Sequence, residues 1–185
     1  MKRAACILGL ALLAACAATP PAHWARGGAA VDLPRARWVR GDATIEIAPD
    51  GKVTVDGEHE LTIDRAGRVF DQDAQPVALL EPDGRVVGPD DVPLGFAGSD
   101  TAALPGESSA WIGLLRTGEV IRYGADGSRS SLGVWIGGCT ATPHARHVCV
   151  LVSHLLAMRM RDRSSPGTGI GIGIGVGVGV GIPAR

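Results

Sequence analysis

Aromatic residues are scarce in this chain: four Trp, two Phe and one Tyr among 185 residues. Lysine is nearly missing, with only Lys2 and Lys52. An excess of positive charge is missing too, since 18 Lys and Arg face 19 Asp and Glu. That balance excludes a nucleic-acid binder carried by net positive charge, so no nucleic-acid partner is expected. The 27 Gly and 12 Pro keep no G-X-Y period, which excludes a collagen. With 20% charged and 45% hydrophobic residues, the chain is neither a coiled coil nor a highly charged disordered protein.

The motifs of common catalytic sites are missing as well. The stretch Gly106–Glu107–Ser108–Ser109–Ala110 only brushes against the G-x-S-x-G elbow. H-E-x-x-H and the P-loop do not occur. Asp71-x-Asp73-x-Gln75 starts like a calcium loop, but Pro76 stands where that loop needs Gly and Glu81 comes one place early. No catalytic residue and no cofactor is therefore expected.

What the chain does have begins with an address. Met1–Lys2–Arg3 is a short basic start, and Ala4–Ala15 is an apolar run. The run falls short of the ~20 residues of a membrane-spanning helix and reads as a secretory signal. Its end, Leu13–Ala14–Ala15–Cys16, resembles the lipobox of bacterial lipoproteins. The resemblance covers the first 16 residues and implies that Cys16 becomes a lipidated N-terminus. Several acyl chains together anchor a protein stably, where one binds reversibly. Ala17 follows the cysteine, not the Asp that favours inner-membrane retention in Gram-negative lipoproteins, which points to the outer membrane. Simple secretion is the alternative: Ala15–Cys16–Ala17 also fits a small-x-small cut that would discard Cys16. Without residues 1–15 the chain keeps 16 basic and 19 acidic residues, a net charge of −3.

Residues 17–37 are rich in Ala, Pro, Arg and Gly without periodicity and read as a tether. Trp24 has two readings there, at the lipid interface or docked on the domain. From Trp38 onward, short alternating runs flank turn clusters. Ile45 and Ile47 lead through Pro49–Asp50–Gly51 to Val53 and Val55. Leu61 and Ile63 lead through Arg65–Ala66–Gly67 to Val69, and Leu79–Leu80 through Pro82–Asp83–Gly84 to Val86. Leu114–Leu115 lead through Thr117–Gly118 to Val120. The turn glycines 51, 67, 84 and 118 give a repeat of about 17 residues, with a degenerate copy at Leu94–Gly95–Phe96 and Gly98–Ser99–Asp100. A further turn, Ala125–Asp126–Gly127, comes sooner than the period allows. Each unit is one hairpin, and hairpins in series can bury a shared face. The fold expected is mainly β: an antiparallel meander, as open sheet or partial barrel, with one C-terminal α-helix. Trp111 and Trp135 are its large core pieces, with a ligand platform as the sharper alternative.

Thr142–Pro143 fits an N-cap and first helical position, and Val148, Leu151, Val152, Leu155 and Leu156 follow at helical spacing. Arg159, Arg161 and Arg163 suit the helix C-terminus. Cys139 and Cys149 read as a disulfide in an exported protein, worth roughly 2–3 kcal/mol on the chain-entropy model. The competing reading is a metal site from Cys139, His144, His147 and Cys149, whose residue types suit zinc although the spacing matches no standard finger. Gly169–Ile182 alternates Gly with Ile or Val. It reads as a loose tail, a strand added to its own sheet, or a self-association strand.

These readings divide the chain into a signal peptide (1–15), a lipidated N-terminus with a disordered tether (16–37), a β-hairpin repeat domain (38–141), a helix packed on the sheet (142–163) and a Gly-Ile/Val tail (164–185). The function expected is a membrane-anchored envelope lipoprotein whose β domain is a structural or binding module, its partner an envelope protein or polysaccharide. The rival is an envelope enzyme or metal-binding protein using the Cys139/His144/His147/Cys149 cluster.

Overall fold

The computed structural model describes residues 18–164, with side chains as far as Arg161. The signal segment, the lipobox cysteine Cys16 and the 169–182 tail lie outside the described residues. Twelve strands follow one another in order. They are β1 (Ala36–Arg40), β2 (Ala43–Ile47), β3 (Lys52–Val55), β4 (Glu58–Ile63), β5 (Arg68–Phe70) and β6 (Pro76–Leu80), then β7 (Arg85–Val87), β8 (Pro93–Ala97), β9 (Thr101–Ala103), β10 (Ala110–Leu114), β11 (Glu119–Tyr123) and β12 (Arg129–Gly137). A long helix, α1 (Pro143–Ser164), completes the described chain. Each strand pairs antiparallel with the next, and β12 pairs with β1, so the meander closes into a barrel.

The 17-residue period has a geometric meaning. One unit is two strands, so its glycine turns all fall at the same end of the barrel, here named the near end. The turns carrying Gly51, Gly67, Gly84, Gly98 and Gly118 lie there. The early turn at Gly127 joins β11 to β12 and lies at the far end, half a unit out of step. Aspartates close many of these turns. The Oδ1 atoms of Asp64, Asp71, Asp83 and Asp126 accept the backbone N–H two residues on, at 2.9–3.1 Å. At Asp71 the same oxygen also takes the Gln75 N–H at 2.8 Å, so the residues that open like a calcium loop instead build a turn.

Strand alternation sorts the residues by face. Trp38, Ile45, Ile47, Val53, Leu61, Ile63, Val69, Val86, Ile112 and Val120 are buried inside. Arg37, Glu46, Lys52 and Arg85 are exposed between them. This is the inverse of a membrane-spanning barrel, whose outer band is apolar. Twelve strands enclose more space than wall side chains fill, since about eight strands already make a side-chain-filled interior. The helix occupies that space. Its residues 148–157 are buried without interruption, including Val148, Leu151 and Val152. The sequence reading laid this helix against the sheet; it packs on the concave face, and the sheet wraps all the way round it.

One expectation needs correction. Residues 18–35 are not a disordered tether. The Thr19 carbonyl accepts the Asp90 N–H, and the Ala22 N–H binds Asp91 Oδ1, both at 2.9 Å at the far end. Trp24 then docks edge-on against Phe70, with ring centroids 5.0 Å apart. Gly28, Ala29 and Val31 donate their N–H groups to Ala66, Leu80 and Arg65 at the near end. The segment is a strap running along the outer wall. It explains why β6 is buried on both faces, with Val77, Ala78, Leu79 and Leu80 all inaccessible. A weak, Ala- and Pro-rich pattern hid this, because the strap is held by backbone hydrogen bonds and a few apolar contacts.

Gly51 and Gly57 share a backbone φ of +88°, but only Gly51 is crowded. A Cβ at Gly51 would lie 1.8 Å from the Ile63 carbonyl oxygen, whereas one at Gly57 meets nothing within 4 Å. Gly57→Ala should therefore cost only the left-handed penalty of about 1–2 kcal/mol. Gly51→Ala should cost a further ~1–3 kcal/mol for the forced shift. Urea denaturation of the two variants measures the difference directly; equal midpoints would refute the close approach.

Candidate functional site

Two tryptophans of the lumen are hydrogen-bonded to side chains of the helix. Trp111 Nε1–H donates to His154 Nδ1 at 2.8 Å, and His154 Nε2–H donates to the Leu94 carbonyl at 2.7 Å. Trp135 Nε1–H donates to Ser153 Oγ at 2.9 Å, and the Ser153 hydroxyl donates to the Cys149 carbonyl one helical turn back, at 2.7 Å. A register shift between Ala110 and Ile112 leaves Trp111 as an extra residue in β10, which turns its ring inward to reach His154. The two tryptophans are core pieces and not an exposed platform.

The near end is sealed. Thr142 caps the helix as the sequence indicates, its Oγ1 accepting the Ala145 N–H at 3.0 Å while its hydroxyl donates to Asp32 at 2.9 Å. Arg146 pairs with Asp100 and donates to the Leu114 carbonyl at 2.7 Å. His147 donates to the Ala97 carbonyl at 2.6 Å, and His144 to the Ala30 carbonyl of the strap at 3.2 Å. Cys139 and Cys149 are both fully buried, with their sulfurs at bonding distance and Cα atoms 5.8 Å apart. The four residues of the rival metal reading are thus not a ligand set. The sulfurs are bonded to each other, and the two imidazoles face carbonyls of different segments. Among the described residues no group of three or more His, Cys, Asp or Glu side chains could hold a metal ion.

The far end is different. A cleft of about 640 Å³ opens between the ends of β1, β11 and α1 and the loop before β10. Arg40, Arg122, Tyr123, Ser109 and Glu107 line it, with Met160 below. Arg40 is half-buried and held in place, its Nη1 against Met160 Sδ and its guanidinium 6.0 Å from the Trp38 ring centroid. Burial, and then the charge of Arg122, lower the Arg40 pKa from its ordinary value. Neither Arg40 nor Arg122 has a carboxylate within 4.0 Å among the described residues. Arg129 stacks on Tyr123 nearby, 5.6 Å from the ring centroid. The arginines at 40 and 122 were missed in the sequence because 82 positions separate them. Only closure of the barrel between β1 and β12 makes them neighbours.

His154 has a pH consequence. Burial lowers its pKa from the ordinary value of 6.5, with the hydrogen bond to Leu94 acting in the opposite direction. Protonation would also set an Nδ1–H against the Trp111 Nε1–H. The unfolded chain therefore binds this proton more readily than the folded one. Its contribution to stability is complete above about pH 6.5 and is lost as pH falls below that value, at up to ~1.4 kcal/mol per pH unit. His154→Gln keeps a donor and an acceptor without titrating. Its stability, followed by thermal melting from pH 8 to 5, should fall less steeply with pH than that of the unchanged protein. Parallel curves would show that His154 does not carry the dependence.

No protein-family model, no curated protein and no solved structure matches this chain. Its function is therefore read from its own residues.

Proposed function

We propose that this protein is a bacterial envelope lipoprotein, anchored through acyl chains on Cys16, whose barrel is a binding module open at its far mouth. The observation that carries the anchor is the sequence Leu13–Ala14–Ala15–Cys16 after a basic start and an apolar run. Ala17 favours the outer membrane as its destination. A binding role, without catalysis, is supported by the state of the interior. The buried His154 and Ser153 are committed to hydrogen bonds that hold the helix, while Arg40 and Arg122, with no carboxylate within 4.0 Å among the described residues, line an open cleft.

The strap supports a particular arrangement of anchor and barrel. From Cys16 to Thr19 is three residues, which span at most about 10 Å. Thr19 is already docked at the far end, beside the turn Pro89–Asp91. A lipid on Cys16 would hold the far rim close to the headgroups, with almost no slack. The barrel in this reading does not float on a leash; it sits on the membrane with its cleft near the surface.

Intact mass of the protein purified from membranes tests the anchor. The expected mass is a chain starting at Cys16 with a diacyl or triacyl increment, and Cys16→Ala should move the protein to the soluble fraction. A chain starting at Ala18 without lipid would overturn the anchored reading in favour of simple secretion.

A further inference from the structure

We propose that the far-mouth cleft binds a phosphate monoester, gripped between the guanidinium groups of Arg40 and Arg122. Arg161 also lines the cleft and has an interaction of its own; a guanidinium does not shed its charge in a protein, so Arg40 and Arg122 facing one cleft favour an anion there. No carboxylate lies within 4.0 Å of either among the described residues. The only acid lining the cleft among those residues is Glu107, on its exposed rim. Arg146, Arg68 and Arg85, by contrast, each hold a carboxylate of their own. What sets Arg40 and Arg122 apart from the other arginines without a carboxylate partner is that both line one cleft, close enough for the charge of Arg122 to act on Arg40.

Charge and shape select the ligand. A carboxylate carries one negative charge and leaves one guanidinium unbalanced. A phosphate monoester carries about −1.5 to −2 at neutral pH and presents three acceptor oxygens, enough for two planar forks at once. Arg40 is already oriented by Met160 and Trp38, so little freedom is lost on binding. Ser109 lines the same cleft. At about 640 Å³ the space exceeds what a bare phosphate fills and falls in the range of small-molecule sites. Leu104, Leu132 and Ala157 give the ester's organic part an apolar flank. The phosphate could belong to a free metabolite or to a lipid headgroup in the leaflet that holds the anchor; the chemistry at the arginines is the same.

This inference rests on the barrel being a binding module and not on the lipid. The acyl mass at Cys16 reports on the anchor and the titration below on the cleft, so each can fail alone. The full mature chain is titrated at pH 7.5 by calorimetry with glycerol 3-phosphate, and in a second arm with phosphatidylcholine vesicles containing phosphatidic acid. Saturable binding in the first arm, weakened ~10-fold or more by Arg40→Gln and by Arg122→Gln, supports the site with a soluble ester. Binding in the vesicle arm alone, lost in the same two variants, supports it with a lipid headgroup. Arg37→Gln, on the outer wall, should leave either arm unchanged. Thermal melting checks the fold of each variant, and the exposed Arg122 keeps the test decisive should Arg40→Gln unfold. Binding in neither arm, equal binding by acetate, or binding indifferent to both arginines would overturn the proposal.

Discussion

The burial of one helix inside the barrel is the constraint on which the rest of this structure depends. A twelve-stranded wall cannot close on its own side chains, because the space it encloses is too wide. An empty lumen would forfeit the contacts of every inward-facing residue. The helix removes that cost only if it is apolar on all sides, and from Val148 to Val152 it carries five consecutive apolar residues. Fully burying Val148, Leu151, Val152 and Leu155 contributes on the order of 1.5–3 kcal/mol each. The short Cys139–Cys149 loop contributes roughly 2–3 kcal/mol. Packing therefore outweighs the disulfide in keeping the helix inside. The bond fixes where the helix starts.

The repeat prepares the wall for this plug. Ile63, Leu80, Ala97 and Leu114 stand 17 residues apart and play one role. Each donates its N–H to the turn of the unit before it, at Gly51, Gly67, Gly84 and Asp100. That knits neighbouring hairpins at the near end. Their carbonyls then point to whatever fills the mouth. Leu80 receives Ala29 of the strap, Ala97 receives His147, and Leu114 receives Arg146. A buried carbonyl must find a donor. Three of these four find theirs on elements that seal the barrel, so repetition in the wall becomes a ring of acceptors for two unlike plugs.

Much of this was legible in the sequence, and what was not has a common cause. The hairpins, their turn residues, the helix N-cap at Thr142 and the pairing of Cys139 with Cys149 are local, and local chemistry writes itself into neighbouring residues. Closure of the barrel is not local: β1 ends at Arg40 and β12 begins only at Arg129, and nothing in Ala36–Arg40 names its partner. The site inherits that opacity, because Arg40 and Arg122 meet only through closure. The helix is a different case. Its uninterrupted apolar run carried the signal for burial on all sides, since a surface helix keeps a polar face. The strap was obscured by composition, as alanine and proline resemble a linker until backbone donors are traced to their acceptors.

The seam where the barrel closes also explains why a cleft should form where it does. Trp38 and Trp135 are directly paired across β1 and β12 and stack at 5.6 Å, while Trp135 is tied to the helix through Ser153. Wall, seam and plug are thus locked together in mid-lumen. Among the described residues the buried Trp38 Nε1–H has no partner, and the stacking and burial of two large rings offset the cost of about 1–3 kcal/mol that such a group carries. Beyond this lock β12 carries an extra residue between Ser131 and Gly133, which breaks the ladder with β11. There the wall departs from regular pairing at the far end, and Arg40 rests on the Trp38 ring just inside. Rigid support immediately beneath an irregular rim is the arrangement a binding site needs. Arg40 is held by packing against Trp38 and Met160, and the register shift at Leu132 lies beside the opening.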